Sequence, residues 1–432
     1  MYPVIKATIE DVQRRLARLP QLAEMFSQCY PNTLETTVSF PEDGGTFVVT
    51  GDIPAMWLRD SSAQVNPYIC LAYEDLELQR MLRGLIQRQA RYILLDAYAN
   101  AFNVTANGQG HKQDQPLAGP WIWERKYELD SLCYPIRLCY NYWRYTQDES
   151  AFTEAVHDML GKVIDVMCTE QRHDERSSYS FQRNDPLMPS DSLPFGGHGV
   201  RTNYTGMVWS GFRPSDDACM YGYLIPANIF AVVVLGYISE MARSIYQDKG
   251  LALQAEQLRD EIEAGIQSYG IVEHPRYGRI YAYETDGYGN YNLMDDANVP
   301  SLLAIPYLGY CSVDDPLYVN TRRFVLSADN PYYYVGKYAH GVGSPHTPAG
   351  YIWHIALVMQ GLTSTDEHEQ EEILRMLVRT TAGTGYMHEG FDSDDPQRFT
   401  RPWFAWANSL FGEFIYQLAY QHPSVLDGLH EL

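Results

Sequence analysis

The sequence predicts an all-α ring of six helical hairpins, an (α/α)6 toroid, with a small β-hairpin near its N-terminus. Three observations carry this reading. First, apolar residues recur at helical spacing over long stretches: Leu78, Met81, Leu82, Leu85, Ile86 and Ile93; Phe230, Val233, Val234, Tyr237, Ile238, Met241 and Ile245; and Leu251, Ala255, Leu258, Ile262 and Ile266. Second, such helices come in pairs, with no strand-like segment expected between them. Third, six apolar helices each follow a loop rich in Asp, Gly, Pro or aromatic residues, beginning near Asp60, Asp130, Asp217, Asp296, Gly350 and Arg401. The intervals leave room for an inner helix, an outer helix and a loop. In such a ring the loops feeding the inner helices meet at one end and line a central pocket.

In chain order, residues 4–30 read as a helix broken at Pro20. Thr36 to Thr50, TTVSFPEDGGTFVVT, carries β-branched runs on both sides of a Pro-Glu-Asp-Gly-Gly turn and reads as the hairpin. It leads into GDIPAMWLRDSSAQVNPYI, Gly51 to Ile69, the start of the first inner helix. Pro135, Pro226 and Pro306 fall early in three inner helices, where they imply kinks or later starts. No solenoid repeat and no low-complexity linker interrupts the chain, so residues 1–432 read as a single domain.

Composition narrows the function. A formal charge of −22 argues against binding a phosphate backbone or an anionic membrane surface, and leaves a neutral ligand unaffected. The seven cysteines are scattered without a C-x-x-C pair, which fits a reducing compartment better than a disulfide framework. MYPVIKATIEDVQRRL lacks the apolar centre of a signal peptide, so a cytoplasmic location is expected. The most apolar run, Ile229 to Ile238, reads as too short to span a bilayer. The 34 tyrosines and eight tryptophans suit carbohydrate recognition, though tyrosine is also ordinary core material.

Four stretches concentrate chemistry. Trp57, Arg59 and Asp60 offer an aromatic face for the C–H side of a sugar ring and a charged pair for its hydroxyls. Asp at a helix entrance is also an ordinary cap, so Asp60, Asp130, Asp217 and Asp296 each admit that reading. VWSGFRPSDDACMYGYLIPAN, Val208 to Asn228, holds Trp209, Arg213, Asp216 and Asp217. If Asp217 caps a helix, Asp216 is left to face the pocket, where burial would raise its pKa and suit it to protonating a leaving oxygen. In GTGYMHEGFDSDDPQRFTRPWFAWANSLFGEFI, Gly383 to Ile415, Glu389 sits in a glycine-flanked loop as a general base for water, or as an ordinary solvated carboxylate. DSDDP, Asp392 to Pro396, lacks the glycine and glutamate of an EF-hand loop. YAHGVGSPHTPAGYIWHIAL, Tyr338 to Leu357, offers His346 to a sugar hydroxyl. The spacing of His346, His388 and Glu389 matches no metal-ligand pattern, and no metal or cofactor is expected. Carboxylates on the third and sixth hairpins would face each other across the ring, as glycoside hydrolysis requires, with room for water that favours inversion.

GDIPAMWLRDSSAQV, SGFRPSDDACMYGYLIPAN, SPHTPAGYIWHIAL and MHEGFDSDDPQRFTRPWFAWANSLFGE resemble, in order, the signature blocks of glycoside hydrolase family 125, the exo-α-1,6-mannosidases. The resemblance runs from Gly51 to Glu413. It implies an (α/α)6 fold, an inverting metal-free mechanism and removal of a non-reducing terminal α-1,6-linked mannose from oligosaccharides or N-glycan fragments. It implies Asp216 as general acid, with Asp217 as the alternative, and Glu389 as general base. Trp57, Arg59, Asp60, Asp130, Arg213 and His346 would shape the terminal mannose subsite. The competing readings are another (α/α)6 glycosidase acting on α-glucosides and a non-catalytic glycan-binding protein.

Overall fold

A computed structural model describes residues 1–429. The chain opens with helices α1 (Pro3–Arg15) and α2 (Pro20–Cys29), separated at Pro20 as the sequence predicts. The expected hairpin forms from β1 (Val38–Ser39) and β2 (Phe47–Val48), in antiparallel register with Val38 opposite Val48. Then come β3 (Met56–Trp57), α3 (Leu58–Ile69), α4 (Leu76–Leu95), β4 (Ala101–Phe102), β5 (Ile122–Glu124), α5 (Leu129–Thr146) and α6 (Glu154–Glu170). The second half holds β6 (Tyr223–Leu224), α7 (Ile225–Ser244), α8 (Lys249–Tyr269), β7 (Glu284–Thr285), α9 (Ile305–Leu308) and α10 (Pro316–Val325). It ends with β8 (Tyr351–Trp353), α11 (His354–Leu362), α12 (Glu367–Arg379), β9 (Gly390–Asp392) and α13 (Ala405–Gln421).

The inner ring is α3, α5, α7, α9, α11 and α13. Helix α3 packs on α5 and α5 on α7; α11 packs on α13, and α13 returns to α3 to close the circle. The N-terminal α1 and α2 pack on the outside of α13. An inner helix meets neighbours on several sides, so its burial extends well beyond one stripe, and in α3 even Arg59, Asp60, Ser61, Ser62 and Gln64 are buried. Every residue from Ala405 to Ile415 is buried. Helix α7 is long and apolar enough, by length and composition, to cross a membrane, which corrects the reading that its apolar run is too short. It is instead walled in between α5 and α8. The outer helices carry the ordinary amphipathic pattern; α4 buries Leu78, Met81, Leu82, Leu85, Ile86 and Ile93, the predicted stripe.

Two expectations need correction. The third and fourth inner helices begin at Ile225 and Ile305, not near Asp217 and Asp296. Pro226 and Pro306 stand in the first turn of each, where a missing N–H costs nothing. Helix α9 is only four residues long, because Gly309 follows it in the left-handed conformation (φ 93°) and ends it. The hairpins are also joined by short strands. β3 pairs with β4 and β4 with β5, β6 pairs with β7, and β8 with β9. Two- and three-residue strands are too short to show alternation in sequence, yet they tie the entrances of α3, α7 and α11 to a neighbouring loop.

Candidate active site

The loops feeding the inner helices converge on a cleft of roughly 370 Å³. It is lined by Trp57, Arg59 and Asp60 from the first hairpin, Pro214, Ser215 and Asp216 from the third, and Asn298 from the fourth. His346 and Trp353 come from the fifth, and Glu389, Arg401 and Phe404 from the sixth. Residues from both ends of the chain therefore share one cleft, and six of the eight predicted site residues line it. Asp130 and Arg213 lie behind it.

Arg59 organises one side. Its side chain is 3% exposed and is surrounded by four carboxylates: Glu128 Oε2 at 2.5 Å, Asp130 Oδ2 at 3.2 Å, Asp60 Oδ2 at 3.5 Å and Asp216 Oδ1 at 3.7 Å. Asp60 and Asp130 are in the first turns of α3 and α5 but cap neither. Asp60 accepts from Thr50 Oγ1 (2.5 Å) and Asp130 from Arg59. Their helices still favour them there, since the N-terminal end of a helix is electropositive. Burial lifts the Asp130 pKa to about 6 against the pull of Arg59. It drives Glu128 well above the ordinary carboxylate range, with Arg59 opposing and Asp216 and Asp130 adding to the rise. Arg213 serves the neighbouring layer: its Nε donates to Glu284 Oε1 at 2.6 Å.

Asp216 stands in a tight turn. Its N–H donates to the Arg213 carbonyl (2.9 Å), the Arg213 N–H donates to the Asp217 carbonyl (2.8 Å), and φ at Asp216 is +69°. Aspartate tolerates that left-handed conformation better than most residues. The turn is held from below by Lys126, whose Nζ donates to the Asp216 carbonyl at 2.7 Å, and from the side by Asp296, which accepts from Ser215 Oγ at 2.9 Å. Asp296 is thus a staple for this loop and not a helix cap. Burial raises the Asp216 pKa, but Lys126 and Arg59 outweigh it, so the carboxyl sits below its ordinary value. That corrects the expectation of a raised pKa at this position. Asp217 is 3% exposed and turns away from the cleft to His346, Oδ1 to Nδ1 3.5 Å. Burial works against charge on His346, yet Asp217, with Glu389 and Asp216 beyond it, lifts its pKa to about 9. His346 is therefore an imidazolium at neutral pH.

Glu389 lies on the opposite wall, immediately before β9. The pairing of Gly390 with Trp353 across β8 and β9 fixes its height. A side chain at Gly390 would meet the Trp353 ring at 3.3 Å, a contact tight enough that the ring would have to shift by a few tenths of an ångström. Arg401 Nη1 is 3.6 Å from Glu389 Oε1, and its Nη2 donates to Asp52 Oδ1 at 2.6 Å. The Asp52 loop is clasped to the last inner-helix entrance: Asp52 N donates to the Trp403 carbonyl and Ala405 N to the Thr50 carbonyl. Ring closure and the placement of Glu389 thus share one set of contacts. His388 faces away, between the Thr381 carbonyl and Thr384 Oγ1, stacked on Phe399. Among the described residues no three His, Cys, Asp or Glu side chains gather as a metal-ligand set.

Several buried polar atoms at the cleft or directly behind it have no hydrogen-bond partner in the protein: Trp57 Nε1, Arg59 Nε and Asp216 Oδ1 at the cleft, and Asp130 Oδ1 and Asp217 Oδ2 behind it. Buried polar atoms are normally paired, so such a concentration marks a site built for a polar ligand. Sequence reasoning missed Lys126, Glu128, Ser215 and Asn298. Glu128 and Lys126 stand just before Asp130, in the kind of loop that the ring pattern singles out, so that signal was within reach. Asn298, which donates to the Pro214 carbonyl at 2.6 Å, carries no such mark.

The profile of glycoside hydrolase family 125, described as metal-independent alpha-mannosidase, matches residues 20–416. A solved structure from Streptococcus pneumoniae is 47% identical, covers 98% of each chain and superposes with a TM-score of 0.94. It is described as a metal-independent alpha mannosidase in a non-productive complex with α-1,6-mannobiose. The meiotically up-regulated gene 157 protein of Schizosaccharomyces pombe is 42% identical over 98% of this chain and 87% of its own length. A bacterial glucoamylase, 13% identical over 86% of this chain and 50% of its own, has a TM-score of 0.56 and shares the fold alone. The chain belongs to glycoside hydrolase family 125, the metal-independent α-mannosidases, and is a glycoside hydrolase on an (α/α)6 ring.

Proposed function

We propose that this α-mannosidase is exo-acting and α-1,6-specific, releases terminal mannose from oligosaccharides including N-glycan fragments, and works by inversion with Asp216 as general acid and Glu389 as general base. One observation carries the assignment: Asp216 and Glu389 both open into the cleft from the third and sixth hairpins, whereas Asp217, Asp130 and Glu128 lie behind its wall. The α-1,6 linkage is supported by the mannobiose held by the 47% identical relative. The small cleft suits a single terminal sugar.

In this mechanism Trp57 offers its face and indole N–H to the ring, and Asp60, Arg59 and His346 bind its hydroxyls. Glu389, with Arg401 beside it, removes a proton from the water that attacks the anomeric carbon. Asp216 gives its proton to the departing glycosidic oxygen, and the sugar passes through an oxocarbenium-like state. We place the protein in the cytoplasm; finding the native protein outside the cell on fractionation would overturn that placement.

Asp216→Asn and Glu389→Gln test the assignment. Each is expected to reduce kcat on α-1,6-mannobiose by about 10²–10⁴-fold while leaving binding of the sugar intact, the range typical of a lost general acid or base. Either variant within about threefold of the wild type would remove that residue from its role.

A further inference from the structure

Beside the cleft, next to the turn that carries Asp216, lies a polar shelf that the mechanism does not use. Two loops build it: residues 103–121, between β4 and β5, and residues 181–199, beyond α6. They are joined by a two-residue antiparallel ladder with Asp114 opposite Arg183. Two adjoining grooves of roughly 560 and 830 Å³ run along the shelf and share His111, Lys112 and Asp114.

The shelf is tied to the cleft at two points. At the first, β3, β4 and β5 form one sheet, and Trp57 of β3 meets Trp123 of β5 in a small apolar cluster with Ala55 and Ala101, separate from the main core. Trp57 lines the cleft, and the half-buried Trp123 lines the shelf. His111 stands next to it. Its N–H donates to the Trp123 carbonyl (3.3 Å), and its ring lies edge-on to the indole with 6.5 Å between centroids. Gly110 (φ +118°) permits that crossing, since a β-carbon there would come within 2.2 Å of the Trp123 carbonyl oxygen. At the second point, Lys126 Nζ donates both to Asp191 Oδ1 of the shelf (3.2 Å) and to the Asp216 carbonyl (2.7 Å). Ala218 N also donates to the Ser190 carbonyl at 2.8 Å. The shelf therefore abuts the acid-bearing turn.

The charges of the shelf are paired among themselves. Arg183 donates to both carboxylate oxygens of Asp114 (2.9 and 2.7 Å) and to Glu124 Oε2 (2.7 Å), and Lys126 donates to Asp191. At the rim, Lys112 and Asp185 are exposed and opposite in sign. What the shelf offers is an indole, an imidazole, the exposed amides of Gln113 and Asn184, and carboxylate oxygens already fixed in place. Such a surface suits a neutral, hydroxyl-rich ligand rather than an ion.

We propose that this shelf is a distal glycan-binding site, which holds the third and later sugars of an oligosaccharide on the leaving-group side of the cleaved bond. This rests on the assignment of Asp216 as acid, because the acid protonates the oxygen of the leaving group and so fixes the side on which the rest of the chain lies. The cleft takes the terminal mannose, the next sugar passes over the Asp216 turn, and the chain beyond it meets Trp123 and His111. Binding energy gained there is remote from the reacting centre and is available to orient the scissile bond, so a longer chain should react faster as well as bind more tightly.

Initial rates on α-1,6-mannotetraose and α-1,6-mannobiose test this. The wild type is expected to show kcat/KM about tenfold higher on the tetraose, the gain that a few polar and aromatic contacts supply. His111→Ala should lower the tetraose value by about three- to tenfold and leave the mannobiose value within about twofold of wild type. Gln113→Trp crowds the groove from an exposed position and should have the same selective effect. Equal wild-type values on the two substrates overturn the proposal, and so does a loss of the same size on both substrates in either variant. Binding is read separately by calorimetry in Glu389→Gln. There the tetraose should bind about tenfold more tightly than the biose, and adding His111→Ala should cancel most of that difference; equal affinities overturn the proposal. Asp216→Asn is assayed in parallel on mannobiose. Retained activity would show that the acid assignment itself had failed, whereas an Asp216-dependent enzyme indifferent to chain length loses the distal site alone.

Discussion

Arg59 holds four carboxylates at one guanidinium, and its removal leaves the fully buried Glu128 and Asp130 without their cation. Breaking such a buried ion cluster typically costs about 3–5 kcal/mol. Arg59→Met is therefore expected to lower unfolding free energy by that order in denaturant titrations, beyond any loss of activity. His346 gives a prediction with a sign. Its folded pKa of about 9 lies above the unfolded value, so its contribution to stability is fully present below pH 6.5 and is lost as pH rises through 9. Wild-type stability should fall between neutral pH and about pH 9.5, and His346→Asn should remove part of that fall; an unchanged profile would mean that Asp217 does not hold the imidazolium. At this scale the sequence was legible where chemistry is dense: Trp57, Asp60, Asp216 and Glu389 stand in stretches crowded with polar and aromatic residues. It was not legible at Asn298, whose role depends on a carbonyl 84 positions away, nor in the pKa of Asp216, which is set by Lys126 and Arg59 from other hairpins.

The helices divide by the chemistry of their entrances. Outer helices α4, α8, α10 and α12 are capped by Asp75, Asp248, Asp315 and Asp366, whose carboxylates accept from N–H groups of the first turn. The inner helices have no side-chain cap among the described residues; they are entered through Trp57, Glu128, Leu224, Ala304, Trp353 and Phe404. The acids that look like caps in the sequence are spent on the cleft, and the true caps lie on the outside of the ring. Asp248→Ala and Asp366→Ala should each cost about 1 kcal/mol of stability, as cap losses do, and leave kcat unchanged. A loss of activity there would contradict the separation of roles. This division also explains which boundaries were readable. Outer and inner helices announce themselves by apolar spacing over many turns, and the β1–β2 hairpin by its turn residues, whereas the later short strands and the length of α9 are fixed by long-range pairings and by the left-handed Gly309.

Across the whole molecule, the ring brings together residues that the chain keeps hundreds of positions apart, and it closes where α13 returns to α3. The clasp of Thr50 and Asp52 on Trp403 and Ala405 makes that closure part of the site, because Asp52 holds the Arg401 that faces Glu389. The net charge of −22 has no partner in a neutral sugar. Accordingly kcat/KM on mannobiose should change less than about twofold when salt rises from about 50 to 500 mM, since screening acts on exposed charges and not on the buried cluster. The central claim is that Asp216 and Glu389 act from opposite walls on one sugar, with water on the far side of the anomeric carbon. Proton NMR of α-1,6-mannobiose in the first minutes after adding enzyme tests it most directly. β-Mannose appearing ahead of mutarotation is the predicted result; α-mannose appearing first would contradict the inverting arrangement of acid and base.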